Sequence, residues 1–163
     1  MSTKQNRLAL AEKLFNKGKL EDALNVCLEH LQACPSDVLA IRLKAKLQGM
    51  SDDLQGAIDS ITEVIQCSKF LEPCDFFYRG RWRLRIGETA IACADLEKVL
   101  ELSEEYGDTY YSEGAHLHLA YANAMIGNRQ EAEKHLMHMG GDSVTSINGS
   151  IINADYIRKL LRP

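Results

Sequence analysis

The feature that most constrains this chain is a recurrence. Gly18, Gly87 and Gly127 are each followed five residues later by an alanine, at Ala23, Ala92 and Ala132. A degenerate copy, Asp52-Asp53-Leu54-Gln55-Gly56-Ala57, keeps the alanine and carries Asp52 where the others carry glycine. The alanines stand 34, 35 and 40 residues apart. Self-similarity at such a period marks a fold built by stacking one supersecondary unit on the next.

Each turn separates two helix-length segments. Leu8 to Phe15 precedes the first turn, and apolar residues follow it at Ala23, Leu24, Cys27, Leu28 and Leu31, the three-and-four spacing of an amphipathic helix. Glycine ends the first helix by taking a positive φ without steric cost. Alanine beside the turn lets the paired helices approach closely. Pro35 and Pro73 are expected beyond the second helix of a pair, where they oppose further helix.

These segments resemble the tetratricopeptide-repeat family. The third copy carries the resemblance best, running from Phe76-Phe77-Tyr78-Arg79-Gly80 through Gly87, Ala92 and Leu96 to Val99, Leu100 and Leu102. The first matches at Ala11, Gly18, Ala23 and Pro35, and the fourth at Ala120, Gly127, Ala132 and Leu136. The second keeps Ala45, Ala57 and Ile61 but lacks the turn glycine. The resemblance implies one all-α domain over 1–163, a right-handed solenoid of about four helical hairpins at 4–37, 38–71, 73–106 and 113–146. Residues 107–112 insert between the last two copies and are expected to lengthen a helix or loop. After Gly140-Gly141 the pattern breaks over Asp142 to Ile152. A capping helix is then expected over 153–162, with Asn153 as N-cap and Tyr156, Ile157, Leu160 and Leu161 as its apolar stripe. The alternative for that helix is a dedicated partner-binding element.

Composition excludes several classes. With 163 residues and 45% hydrophobic, the chain has enough apolar surface for a packed core. A net charge of −4 argues against a nucleic-acid binder, which shows a basic excess. No run reaches the roughly 20 apolar residues of a membrane span, so membrane insertion is not expected. The opening MSTKQNR is not followed by an apolar stretch, so no signal peptide is expected either. Cys27, Cys34, Cys67, Cys74 and Cys93 form an odd set without CxxC spacing, which fits a reducing cytoplasm better than a disulfide framework. No phosphate loop, dinucleotide fingerprint, nucleophile elbow or HExxH helix is present. His116 and His118 point to different helix faces, and His135 and His138 share one without an evident third ligand. The chain is expected to be non-catalytic, with no cofactor and no metal.

The segment Tyr78-Arg79-Gly80-Arg81-Trp82-Arg83-Leu84-Arg85 holds four arginines in eight residues. Arg79 and Arg83 share one helical face, Arg81 and Arg85 another. The resemblance implies that the first helix of each pair lines a concave groove for extended or helical peptides. On that register the groove residues are Leu8, Glu12 and Phe15, then Arg42 and Lys46, then Phe77, Arg81, Leu84 and Arg85, then Leu117, Tyr121 and Met125. Arg42, Lys46, Arg81 and Arg85 would form a basic band suited to a peptide with acidic residues beside an apolar anchor. The competing reading pairs the arginines with Glu12, Glu88 or Glu113 on adjacent repeats, or leaves them merely solvated. The family's carboxylate clamp for chaperone C-termini needs Lys, Asn and Arg where this chain has Leu8, Glu12, Leu43, Cys74 and Tyr78, so such tails are not expected to bind that way. The function expected is a protein-interaction module: an adaptor, assembly factor or small chaperone. The alternative is self-association through Phe77, Trp82 or the tail helix into a homo-oligomer.

Overall fold

The computed structural model describes residues 3–140 and 142–162. Its helices are α1 (Thr3–Asn16), α2 (Leu20–Ala33), α3 (Val38–Met50), α4 (Leu54–Cys67), α5 (Pro73–Arg85), α6 (Thr89–Tyr106), α7 (Ser112–Met125) and α8 (Arg129–Leu136). Successive helices pack against one another from α1 to α4 and again from α5 to α8, giving the all-α helical-hairpin repeat fold. Two short strands, β1 (Val144–Ile147) and β2 (Ser150–Asn153), and a last helix, α9 (Ala154–Leu160), complete the chain. It divides into two compact units, one up to Phe70 and one from Leu71.

The turn chemistry explains the pairs. Gly18, Gly87 and Gly127 take φ of 72°, 86° and 78°, and Asp52 takes 67° in the copy without glycine. Aspartate is among the few L-residues that visit this region at tolerable cost, so the degenerate copy still makes the same turn. Asp53 then accepts from the Gly56 N–H at 3.0 Å as N-cap of α4, and Asp37 caps α3 through the Leu39 and Ala40 N–H groups. Pro73 opens α5 rather than following α4 closely, a position where its missing N–H costs nothing.

In the first unit Ala11, Ala23, Cys27, Ala40, Leu43 and Leu47 form one core cluster. The buried Cys27 thiol donates to the Ala40 carbonyl at 3.2 Å, and burial pushes its pKa up to about 11, as suits a packing thiol. Buried His30 reaches Asp37 at 2.8 Å, tying the end of α2 to the start of α3.

In the second unit Gly80 lies against α6, where a Cβ would stand 3.0 Å from Leu96 Cγ. That close approach brings Arg79 and Arg83 onto Asp95, only 4% exposed. Arg79 grips it through two bonds of 2.9 and 2.6 Å, and Arg83 adds a third of 2.8 Å. Residues 107–112 act as expected: α6 extends to Tyr106, Gly107 ends it in the left-handed region, and α7 begins at Ser112.

The segment after Gly140, where the helical pattern breaks, holds two strands that the sequence reading did not name. It is an antiparallel hairpin in which Val144 faces Asn153 and Ile147 faces Ser150. Asn148 and Gly149 both have positive φ, 49° and 80°, the requirement of a two-residue type I′ turn. Ile147, Ile152 and Ile157 are buried, and the Asn153 side chain caps α9 through the Tyr156 N–H at 2.9 Å.

Removing one partner of a buried ion pair strands the other charges, at a cost of about 3–5 kcal/mol. Asp95→Ala should therefore lower the stability of the folded chain by that order in urea unfolding. Asp95→Asn should rescue little, because an amide balances neither guanidinium.

Candidate functional site

Helix α5 presents two arginine faces, and the structure uses them differently. Arg79 and Arg83 are spent on Asp95, with Arg83 also 3.6 Å from Glu88. Arg81, half-buried on the other face, is paired with no carboxylate among the described residues. Its guanidinium carbon lies 5.7 Å from the centre of the Phe77 ring, a cation–π contact. Burial draws the Arg81 pKa below its ordinary value and Arg85 adds to the effect, while Tyr78 opposes it. A guanidinium in that position is short of an anion.

The surroundings of Arg81 are aromatic. The Phe77 ring centre is 5.1 Å from that of Tyr111 and 5.5 Å, edge-on, from that of His118. Tyr78 stacks on Trp82 at 5.8 Å, and Tyr110 meets Tyr111 at 4.8 Å. Phe77 fits here because residue 114 is glycine: a Cβ there would be 2.9 Å from the ring. Burial raises the Tyr111 pKa, with Tyr78 and Cys74 contributing, so the phenol stays neutral.

The tail hairpin borders the same region. Glu113 of α7 accepts from the Gly140 N–H at 2.8 Å and from the Ser143 hydroxyl, contacts that hold its carboxyl below the usual range. His118 Nδ1 lies 2.6 Å from the Gly114 carbonyl, which can only accept, so Nδ1 carries the proton. The free Nε2 then faces the Thr145 hydroxyl at 3.4 Å. Asn148, at the hairpin turn, donates to the Arg85 carbonyl at 3.0 Å. Strand β1 thus runs from the start of α7, past His118, to the end of α5.

The residues expected to line a groove are distributed unevenly. In the first unit Phe15 packs against the core, and Leu8 and Glu12 line a pocket of about 430 Å³ with His30, Cys34, Asp37 and Leu39. Arg42 and Lys46 lie half-exposed on α3. In the second unit Arg81, Arg85 and Tyr121 are half-exposed and Met125 is exposed. Leu84 and Leu117, expected to face the groove, are 6% and 2% exposed: they are packed inside the unit and leave no open surface. Phe77 and Trp82 are buried too, so neither offers a face to a second copy. Asp95 and the hairpin residues Thr145 and Asn148 were not anticipated. The Asn148-Gly149 pair is the signal that could have revealed the turn.

The histidines of the last helical pair come together as well. His116 Nδ1 is 3.0 Å from His135 Nδ1, and the His116 and His138 rings stack at 4.8 Å. Among the described residues no three ligating side chains converge as a metal site, and no helix is long and apolar enough to cross a membrane.

Solved structures share this architecture. The crystal structure of YrrB, a tetratricopeptide-repeat protein with an unusual peptide-binding site, matches with a TM-score of 0.70 at 18% identity over 80% of this chain. The chain spans 64% of YrrB. A crystal structure of MamA protein matches with a TM-score of 0.72 at 18% identity, covering 83% of this chain and 70% of MamA. A tetratricopeptide-repeat protein from Parabacteroides merdae matches at 0.69 and 20% identity, over 83% of this chain and 50% of that one. No family model matches the sequence, and no curated protein does.

Burial pushes His118 down to about 4; the Gly114 contact works against this and the Arg81 charge adds to it. His116 also falls to about 4, through burial and its histidine neighbours. Both take up protons more readily unfolded than folded. Their stabilising effect is complete above pH ~6.5 and is lost as pH falls from there towards 4. Urea unfolding should lose roughly 1 kcal/mol or more per pH unit across that window. His118→Gln should flatten part of the slope.

Proposed function

We propose that this chain, which has the tetratricopeptide-repeat fold, is a non-catalytic protein-interaction module that takes a partner segment carrying acidic residues beside an apolar anchor. The observation that carries this reading is Arg81: a half-buried guanidinium with an aromatic neighbour and no carboxylate of its own among the described residues. Arginine so placed favours an incoming carboxylate, because it can donate two parallel bonds from a site where water screens less. Arg85 adds positive charge nearby. Tyr78, Tyr110 and Tyr111 supply amphipathic contact surface of the kind that anchors partners.

The first unit contributes its own candidate surface, with Leu8 and Glu12 at the α1 pocket and Arg42 and Lys46 on α3. Tyr121 and Met125 extend the second unit's set along α7. Five free cysteines with no disulfide among the described residues fit a reducing, cytoplasmic setting.

Charge reversal tests the reading. Affinity capture from native extract, followed by mass spectrometry, should recover a partner on the wild-type chain and lose it on Arg81→Glu/Arg85→Glu. The reversed chain should keep the circular-dichroism spectrum of the wild type, since neither residue joins the Asp95 clamp. A partner retained by the reversed chain would overturn the assignment. Static light scattering across a dilution series should show a constant mass; a mass rising with concentration would favour self-association.

A further inference from the structure

The tail hairpin has two faces and two edges, and their assignment follows from its turn. In a two-residue type I′ hairpin the residues flanking the turn, here Ile147 and Ser150, form the hydrogen-bonded pair. Pairs then alternate, so Ser146↔Ile151 and Val144↔Asn153 are non-hydrogen-bonded pairs. The N–H and C=O groups of Val144 and Ser146 therefore point away from β2. No backbone partner is recorded for them among the described residues. Side chains alternate likewise: Thr145 and Ile147 turn inward, while Val144 and Ser146 are exposed.

Unpaired strand edges are usually blunted, because they recruit other strands. Here no proline, lysine or inward charge protects β1, and Val144 on its outer face is 62% exposed. The same strand passes His118, whose ring lies edge-on at 5.5 Å from the Phe77 ring that Arg81 also contacts, and ends where Asn148 holds the Arg85 carbonyl. An open backbone ladder and an anion-seeking guanidinium thus lie along one course.

We infer that the partner segment is bound as an extended strand that pairs with the free edge of β1 and presents an acidic side chain to Arg81. This rests on the charge reading above and adds to it the conformation of the ligand. Strand addition derives affinity from main-chain bonds at Val144 and Ser146, and specificity from alternate side chains. An acidic strand suits the site because the positive charge of Arg81 has no carboxylate partner among the described residues. A helical ligand could meet that charge but could not use the ladder.

The test uses the full chain and a short, blocked peptide of alternating valine and aspartate. Binding is read by fluorescence anisotropy and by the amide resonance of Ser146. The wild-type chain should bind and shift that resonance. N-methylating the amides on one edge of the peptide should weaken binding by about tenfold, one hydrogen bond's worth or more. Ser146→Pro deletes only the outward N–H and should weaken binding similarly, with circular dichroism and melting unchanged. Should the proline variant fold poorly, the N-methylated peptide on the wild-type chain decides alone. Arg81→Glu should also weaken binding. If Arg81→Glu weakens binding while N-methylation and Ser146→Pro do not, strand pairing is overturned and the charge reading survives. If the backbone changes matter and Arg81→Glu does not, the acidic assignment falls. No binding by the wild-type chain overturns the inference. So does a dimer dissolved by Ser146→Pro, which would put a second copy on the edge.

Discussion

The Asp95 carboxylate fixes the rotation of α5, and the character of the second unit follows from that. A helix with arginines at 79, 81, 83 and 85 could turn either pair towards α6. A single buried acid on the facing helix selects Arg79 and Arg83, because three charge-assisted bonds of 2.6–2.9 Å offset the cost of taking Asp95 out of water. Gly80 supplies the proximity those bonds need, since a side chain there would press on Leu96. With α5 locked, Phe77 and Arg81 are committed to the opposite side. The position of the Arg81 charge is thus a consequence of the buried Asp95.

The tail hairpin adds a second kind of structure to a helical repeat without disturbing the helices. A repeat stack must cover its last apolar face. Here Ile147, Ile152 and Ile157 are buried as the hairpin and α9 fold in, which agrees with a covering role. A helix alone would have satisfied its own backbone. A hairpin cannot, and among the described residues it leaves the ladder groups of Val144 and Ser146 without a backbone partner. Covering a face and exposing an edge are therefore the same event in this segment, whereas α1 to α8 present only side chains.

Much of the helical organisation was legible because it rests on local rules. Gly18, Gly87 and Gly127 mark turns by the positive φ that glycine takes without steric cost, and Asp52, which takes it too, shows that the position rather than the residue defines the repeat. The Asn153 cap and the lengthening of α6 before Gly107 were legible for the same reason. The partition of arginines was half legible. Spacing placed Arg79 with Arg83 and Arg81 with Arg85, but the identity of the acid lay on another helix, beyond any local pattern. Of the acids expected to pair with arginine, Glu88 does approach Arg83 at 3.6 Å, whereas Glu113 serves elsewhere, holding Ser143 and Gly140. Leu84 and Leu117 were misplaced because a 3.6-residue period gives a helix face but not what covers it. The hairpin was missed through weight rather than absence of signal: Asn148-Gly149 is a strong turn pair, overshadowed by the helical repeat before it.

His118 connects the charged and the strand-like parts of the second unit. Its Nδ1–H is committed to Gly114, so any proton gained must enter at Nε2, beside the Thr145 hydroxyl. Arg81 opposes that proton through its own charge. An anion brought to Arg81 would cancel part of the opposition and raise the affinity of His118 for a proton. By linkage, protonating His118 would strengthen the hold on the anion to the same degree. A hydroxyl can rotate from donating to accepting, so Thr145 could stay in contact with the imidazolium, and the hairpin need not leave its seat when the ring charges. The imidazole itself lies edge-on to the Phe77 ring, 5.5 Å between centres.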